Sequence, residues 1–329
     1  MMRRTGVVLV GAVVVVGVTA VSGCSGEQRS AAGPVASAVS ASASSSLVAE
    51  AEGPPGEPRV SWKSAGHVVT LSLQPGPGST SVRWFETAVA KQGEIPDIAS
   101  IERCPLPAGD GEVTQCPVTL KRGNWDVFVR AVNDAGNSAW LESASAGPIN
   151  SCTDDDAASG VCEVGDTGPG GGYVFYDAKS RQSWGQFLEA APPGWSGKPN
   201  DVAKWWCPSK QPGWNAVLAT SDAIGTGAAN TQLIIENCGS DTAAGLAAAY
   251  RGGGKTDWSL PSRDELTAMY GRRNEIPGLT LRNDYWTSSQ SQAADLNQFA
   301  SERDFSDGSE DNGQKDASWG FYVHPVRAF

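Results

Sequence analysis

Histidine is nearly absent: His67 and His324 are the only two in 329 residues, and none of the 7 cysteines forms a C-x-x-C pair. A structural zinc site, which draws on clustered Cys and His, is therefore unsupported. There is no G-x-S-x-G, and His324 is the sole histidine after residue 151, so a hydrolase built on a nucleophile elbow lacks its parts. No basic run occurs, and 25 Lys and Arg face 36 Asp and Glu, a net charge of −11. Nucleic acid and anionic membrane surfaces are poor partners for such a chain. No phosphate-loop motif is present either. The Gly-rich stretch at 165–172 (Gly-Asp-Thr-Gly-Pro-Gly-Gly-Gly) runs into the strand-like Tyr173, Val174, Phe175 and Tyr176 rather than into a helix, which sets nucleotide binding aside. Arg-Gly-Asp does not occur.

The amino-terminal region is basic at Arg3 and Arg4, then apolar and uncharged over 6–21. That run is short for a membrane span and has the form of a signal-peptide core. It closes on Val21, Ser22, Gly23 and Cys24, which resembles the lipobox of bacterial lipoproteins. The resemblance implies a leader over 1–23, diacylglyceryl lipidation (palmitate-type acylation) at Cys24, and a chain held on the outer face of the bacterial cell membrane. Removing the leader leaves 23 basic and 36 acidic side chains, net −13. Residues 24–55 are Ala, Ser, Gly and Pro with few large apolar side chains, a composition that reads as a disordered tether.

With Cys24 lipidated, six cysteines remain: Cys104, Cys116, Cys152, Cys162, Cys207 and Cys238. Six allow 15 connectivities. Their spacing two by two suggests disulfides between sequence neighbours in an oxidising compartment, each stabilising by roughly 2–3 kcal/mol. The first pair is expected to pin a hairpin around residues 107–111.

Residues 56–148 alternate apolar and polar side chains in short runs broken by turn residues, as at 67–73, 82–85, 113–120 and 125–133. This pattern predicts an antiparallel sandwich. The segment 125–133 (Trp-Asp-Val-Phe-Val-Arg-Ala-Val-Asn), followed by Ala-Gly-Asn-Ser at 135–138, resembles a fibronectin type III domain. Trp125 stands where that family usually carries Tyr, so the family's tyrosine-corner hydrogen bond is not implied. The domain reads as a spacer.

Residues 149–329 hold 8 of the 12 tryptophans after residue 151. Two short helices are expected over 232–250, broken near Cys238 and Gly239, and a third after Ser262, where Glu265 completes a capping box. Strands are expected at 285–289 and 319–323. In order along the chain come the Gly-rich stretch at 165–172, Ile-Gly-Thr-Gly-Ala-Ala-Asn-Thr at 224–231, Asp-Trp-Ser-Leu-Pro-Ser-Arg-Asp-Glu-Leu at 257–266, Tyr-Trp-Thr-Ser-Ser at 285–289 and Val-Arg-Ala-Phe at 326–329. This series resembles the C-terminal domain of collagen-like bacterial adhesins, related to the C-type-lectin-like fold. The resemblance implies surface display, adhesion, and carbohydrate or protein binding. The expected fold class is thus multidomain: an all-β fibronectin type III-like sandwich followed by an α+β C-type-lectin-like domain.

Trp258, Leu260, Trp286, Phe321 and Phe329, within or beside these motifs, read as core. Trp195, Trp205, Trp206 and Trp214, in a Gly- and Pro-rich stretch, are the candidate ligand contacts, since an exposed indole suits a sugar face or a protein partner. Asp154, Asp155 and Asp156, and separately Asp304, Asp307, Glu310 and Asp311, are weak calcium candidates without EF-hand spacing. No other cofactor is expected. From 150 to 329 there are 14 basic and 23 acidic residues, net −9. A polyanion is therefore disfavoured unless basic residues such as Arg272, Arg273 and Arg282 cluster in space. The expected role is that of a non-enzymatic binder of a neutral glycan or a protein. The alternatives are a two-carboxylate glycosidase and a structural envelope protein.

Overall fold

A computed structural model describes residues 53–329 apart from 78, 80, 107–112, 294–295 and 318–320. The leader, Cys24 and most of the tether lie outside the described residues. The described chain belongs to one compact unit, residues 51–329.

Its first part is a β-sandwich. Strands β1 (Arg59–Ala65), β2 (Val68–Gln74) and β5 (Thr114–Thr119) form one sheet. Strands β4 (Glu102–Pro105), β3 (Trp84–Lys91), β6 (Gly123–Asn133) and β8 (Leu141–Ile149) form the other, with the two-residue β7 (Gly136–Asn137) beside β6. The three-plus-four strand order is that of a fibronectin type III domain. Alternation explains the packing: Val69, Leu71 and Leu73 of β2 meet Phe85 of β3 and Val127, Val129 and Ala131 of β6 in a dry core. Trp125 takes over the corner role that Tyr fills elsewhere, its indole Nε1–H donating to the Lys121 carbonyl at 2.7 Å. Cys104 is bonded to Cys116. These residues lie on β4 and β5, which belong to different sheets, so the disulfide staples the sandwich across its core; residues 107–111, where a hairpin is expected, lie outside the described residues.

The second part begins with α1 (Asp154–Ala158), inside the loop closed by Cys152 and Cys162. Strands β9 (Tyr173–Gln182), β10 (Gly185–Ala190) and β16 (Val326–Ala328) make a small antiparallel sheet in the order β9, β10, β16. A five-stranded sheet runs β11 (Val202–Lys204), β15 (Phe321–Val323), β12 (Asp284–Gln290), β13 (Phe299–Asp304) and β14 (Glu310–Gln314). Helices α2 (Gly227–Cys238) and α3 (Ala243–Ala249) contribute Ile234, Ala243, Ala244 and Ala247 to the apolar cluster that buries Trp206 and Trp286. Helix α4 (Arg263–Gly271) contributes Leu266 and Met269 to a second cluster around Tyr285 and Phe305. Tyr285 and Trp286 are consecutive, so the two cores lie on opposite faces of β12. Cys207 is bonded to Cys238 at the end of α2.

The Gly-rich stretch is explained by one buried carboxylate. Glu189 on β10 is fully buried and accepts from the N–H of Gly170 (2.9 Å) and Gly172 (3.0 Å) and from Arg327 Nη1 (2.9 Å). A Cβ on Gly168 or Gly170 would lie 2.5 and 2.7 Å from that carboxylate. Arg327 in turn donates through Nε to Asp257 at 2.6 Å. Three of the five sequence motifs thus meet in one internal network that seats the C-terminal strand.

Candidate ligand-binding cleft

The β1–β2 turn of the sandwich docks on the second part. Gly66 (φ 59°) packs so closely on α1 that a Cβ would lie 1.7 Å from Asp156 Oδ2. Asp156, which closes the capping box of α1 with Thr153, also accepts from the His67 N–H at 3.2 Å. His67 is fully buried. Its Nε2 lies 2.7 Å from Asp166 Oδ2 and its Nδ1 2.7 Å from the Leu120 carbonyl. A carbonyl and a carboxylate both accept, so these contacts favour the imidazolium, which carries an N–H on each ring nitrogen. The Asp166 hydrogen bond raises the His67 pKa against the opposing effect of burial, with the Leu120 carbonyl adding to the rise.

Beside this clasp lies a cleft of about 660 Å³ walled by both parts. The sandwich supplies Thr119, Leu120 and Lys121; the second part supplies residues 160–164, Asp177, Lys179 and Arg272. Three cations and two carboxylates line it, in a chain whose net charge is −11. Lys179 pairs with Asp177 at 2.9 Å and Arg272 with Glu275 at 3.0 Å. Lys179, Arg272 and Glu275 keep their charged ends in solvent, and pairs made by such ends are worth at most about 1 kcal/mol, weak enough for a ligand to exchange into. Glu163 is engaged internally, its Oε2 accepting from the Arg122 N–H at 3.1 Å. Lys179 is one of two described non-glycine residues at positive φ (65°), a conformation that costs an L-residue about 1 kcal/mol. Its N–H donates to Asp177 Oδ1 at 2.7 Å, which fixes the turn.

The four candidate tryptophans do not form an exposed platform. Trp206 is fully buried, and its Nε1–H donates to the Thr287 carbonyl at 2.8 Å. Trp195 is half-buried, donates to Asp201 Oδ1 at 2.6 Å and packs edge-on to Tyr250. Trp214 is half-buried against the same core as Trp206. Trp205 is half-buried, bonded through its indole to the Asp241 carbonyl, with Lys204 Nζ 4.5 Å from its ring. Apolar area and an internal acceptor for each of three indole N–H groups drew them inward.

Asp154, Asp155 and Asp156 do not converge. Asp154 pairs with Lys255, whereas Asp156 is buried against Thr153 and His67. Among the described residues no three His, Cys, Asp or Glu side chains gather as a metal-ligand group. Of the other acidic cluster, Glu310 pairs with Arg263 and Arg303.

Three buried ionisable groups escaped sequence reasoning. Asp201 accepts from Tyr285 Oη at 2.6 Å and contacts His324 Nδ1 at 3.0 Å, which gives a catalytic-looking triad, but all three are sealed from solvent. Lys315 is fully buried and donates to the Gly213 carbonyl at 3.0 Å; burial pushes its pKa down to about 8. Glu302 is 8% exposed, with Oε2 buried and without a hydrogen-bond partner among the described residues. Burial, then Asp284, Asp311 and Asp304, push its pKa up to about 8. A local signal existed only for Glu302, which sits in an acidic run.

No family model and no curated protein sequence matches the chain. Among solved structures, a fibronectin type III domain of the human collagen alpha-1(XX) chain aligns at 18% identity, over 30% of this chain and 89% of that one, with a TM-score of 0.22. Another human fibronectin type III domain aligns at 20% identity over 32% and 91%, with a TM-score of 0.21. A structure described as a myokine aligns at 14% over 29% and 97%, with a TM-score of 0.23. At these scores the likeness carries no weight of its own, and the sandwich is identified by its strand order.

Proposed function

We propose that this chain is a lipid-anchored surface protein that binds a carboxylate-bearing glycan in the cleft between its sandwich and its second part. The observation that carries the reading is the grouping of Lys121, Lys179 and Arg272 around one concavity of an otherwise acidic protein. Ligand sites favour the junctions between domains, and Lys and Arg hold carboxylates through charge-assisted hydrogen bonds. The lipobox at Cys24 and three disulfides support display on the outer face of the membrane. The motif series supports a C-type-lectin-like second part. The sequence alone favours a neutral glycan or a protein; we prefer an acidic glycan because three of the four indoles donate to internal acceptors while cations line the cleft.

A glycosidase would require an acid that touches the substrate. The two acids that line the cleft are engaged, Glu163 with the Arg122 N–H and Asp177 with Lys179, so we favour the non-enzymatic role.

The test is a titration of the full chain with glucuronate-containing and neutral oligosaccharides. Saturable binding of the acidic sugars alone, weakened at least ten-fold by Lys121→Glu with Arg272→Glu and unchanged by Trp205→Ala, is the expected result. Equal binding of neutral sugars, or no effect of the charge reversals, would sink the reading.

A further inference from the structure

On β12, β13 and β14 the register places Asp284 opposite Asp304, Trp286 opposite Glu302, and Glu302 opposite Asp311. Directly paired residues, and residues two apart on one strand, share a sheet face. Four carboxylates therefore lie on the face that carries Trp286. None of the four is ion-paired among the described residues. The charges that Glu302 feels are those of Asp284 on β12, Asp304 and Arg303 on β13 and Asp311 on β14. Arg303 turns to the opposite face, where it pairs with Glu310. Among them Glu302 is nine-tenths buried, and its Oε2 has no hydrogen-bond partner among the described residues. A buried, unmatched carboxylate is costly, and a cation above it removes that cost.

The neighbouring row of the same face is aromatic. Gly313 stands two residues from Asp311, and a Cβ there would lie 2.3 Å from the Phe321 ring and 2.8 Å from the Trp286 ring. Phe321 packs edge-on to Trp286, with centroids 4.4 Å apart, and stays half-buried. An acidic patch bordered by an accessible ring fits a guanidinium, which bonds carboxylates with its fork and stacks on an aromatic face. Calcium fits less well. It needs six to eight oxygens at about 2.3–2.6 Å, and no three acidic groups of the described residues gather as such a set.

We propose that this sheet face is a second binding site, which takes an arginine side chain presented by a partner protein on Asp284, Asp304 and Asp311 above Glu302. Asp284 and Asp311 touch the guanidinium, while Glu302 acts from below by ionising when the cation arrives. Binding therefore releases a proton and strengthens as the pH rises.

The experiment is calorimetric titration of the full chain with a blocked tetra-arginine peptide at pH 6.5 and 9, with spermidine and calcium chloride as parallel probes. The peptide is expected to saturate, at least five-fold more tightly at pH 9. Asp284→Asn with Asp311→Asn should weaken it at least ten-fold at both values. Glu302→Gln should keep the affinity of pH 6.5 and lose the gain at pH 9. That variant also separates Glu302 from Lys315, which titrates in the same range but lies beneath Trp206. The proposal fails if the peptide does not saturate, if the double variant binds as tightly as the parent, or if calcium or spermidine binds more tightly and displaces the peptide. Should the double variant not fold, the Glu302→Gln comparison decides alone: an unchanged pH dependence overturns the proposal.

Discussion

Buried ionisable side chains set the pH response of this protein. Lys315 titrates near 8 in the folded chain and near 10.4 when unfolded, so between those values the unfolded state holds more protons and stability rises with pH. Chemical denaturation across pH 7–10.5 is expected to show that rise in the parent and not in Lys315→Met, with a difference on the order of 2 kcal/mol over the window. Glu302 has the opposite sign. Its folded pKa of about 8 lies above the unfolded value of about 4.3, so its contribution falls as the pH climbs from 4.3 to 8. Glu302→Gln is expected to be the more stable protein at pH 8, by on the order of 2 kcal/mol, and equal to the parent near pH 4. Neither group was legible as buried in the sequence. A lysine and a glutamate read as surface, and only their neighbours in space make them otherwise.

Helix α4 shows how far local sequence reaches. Ser262 and Glu265 form the capping box expected from their spacing: Ser262 Oγ accepts from the Glu265 N–H at 3.3 Å, and Glu265 Oε2 from the Ser262 N–H at 2.8 Å. The same carboxylate also accepts from the Gly225 N–H at 2.8 Å and the Gly227 N–H at 3.3 Å, at the start of α2, so one side chain holds two helix entrances. Nothing near residue 265 announces that second duty. Glu265→Ala leaves three N–H groups without this acceptor, two of them buried, and is expected to cost about 3 kcal/mol, whereas Glu265→Gln, which keeps an acceptor oxygen, is expected to cost about half of that. Thermal melts of the two variants check the order. The Cys207–Cys238 bond closes a loop of 31 residues from the Trp206 turn to the end of α2. Replacing both cysteines by alanine is expected to cost roughly 3–4 kcal/mol in denaturant titrations.

At the scale of the whole molecule, the His67 clasp joins the sandwich to the second part. Because the pKa of His67 is raised, the stability it adds is fully present below about pH 6.5 and is lost as the pH rises through the higher folded value. Scanning calorimetry at pH 6 is expected to show a single transition in the parent and two in His67→Asn, with the parent approaching the variant's behaviour at alkaline pH. A single transition for His67→Asn at every pH would mean that the clasp does not couple the two parts.

By itself the sequence determined whatever depends on neighbours along the chain. The alternation of 125–133 placed β6, the Ser262 and Glu265 spacing placed α4, and the pairing of cysteines by proximity anticipated three disulfides. Such features follow from backbone periodicity and short loop closure, which act over a few residues. Only the tertiary structure decided which indoles stay exposed, what the Gly-rich stretch wraps, and where charge collects. Trp206 reads as a ligand contact until Thr287, 81 positions away, offers its carbonyl. The glycines of 165–172 have no local reason until the Glu189 carboxylate fills the loop they make. Lys121, Lys179 and Arg272 have nothing in common along the chain, and they line one cleft because the clasp at His67 and Asp166 brings the two parts together. Burial and electrostatic fields are sums over neighbours in space, and a linear order does not contain that sum.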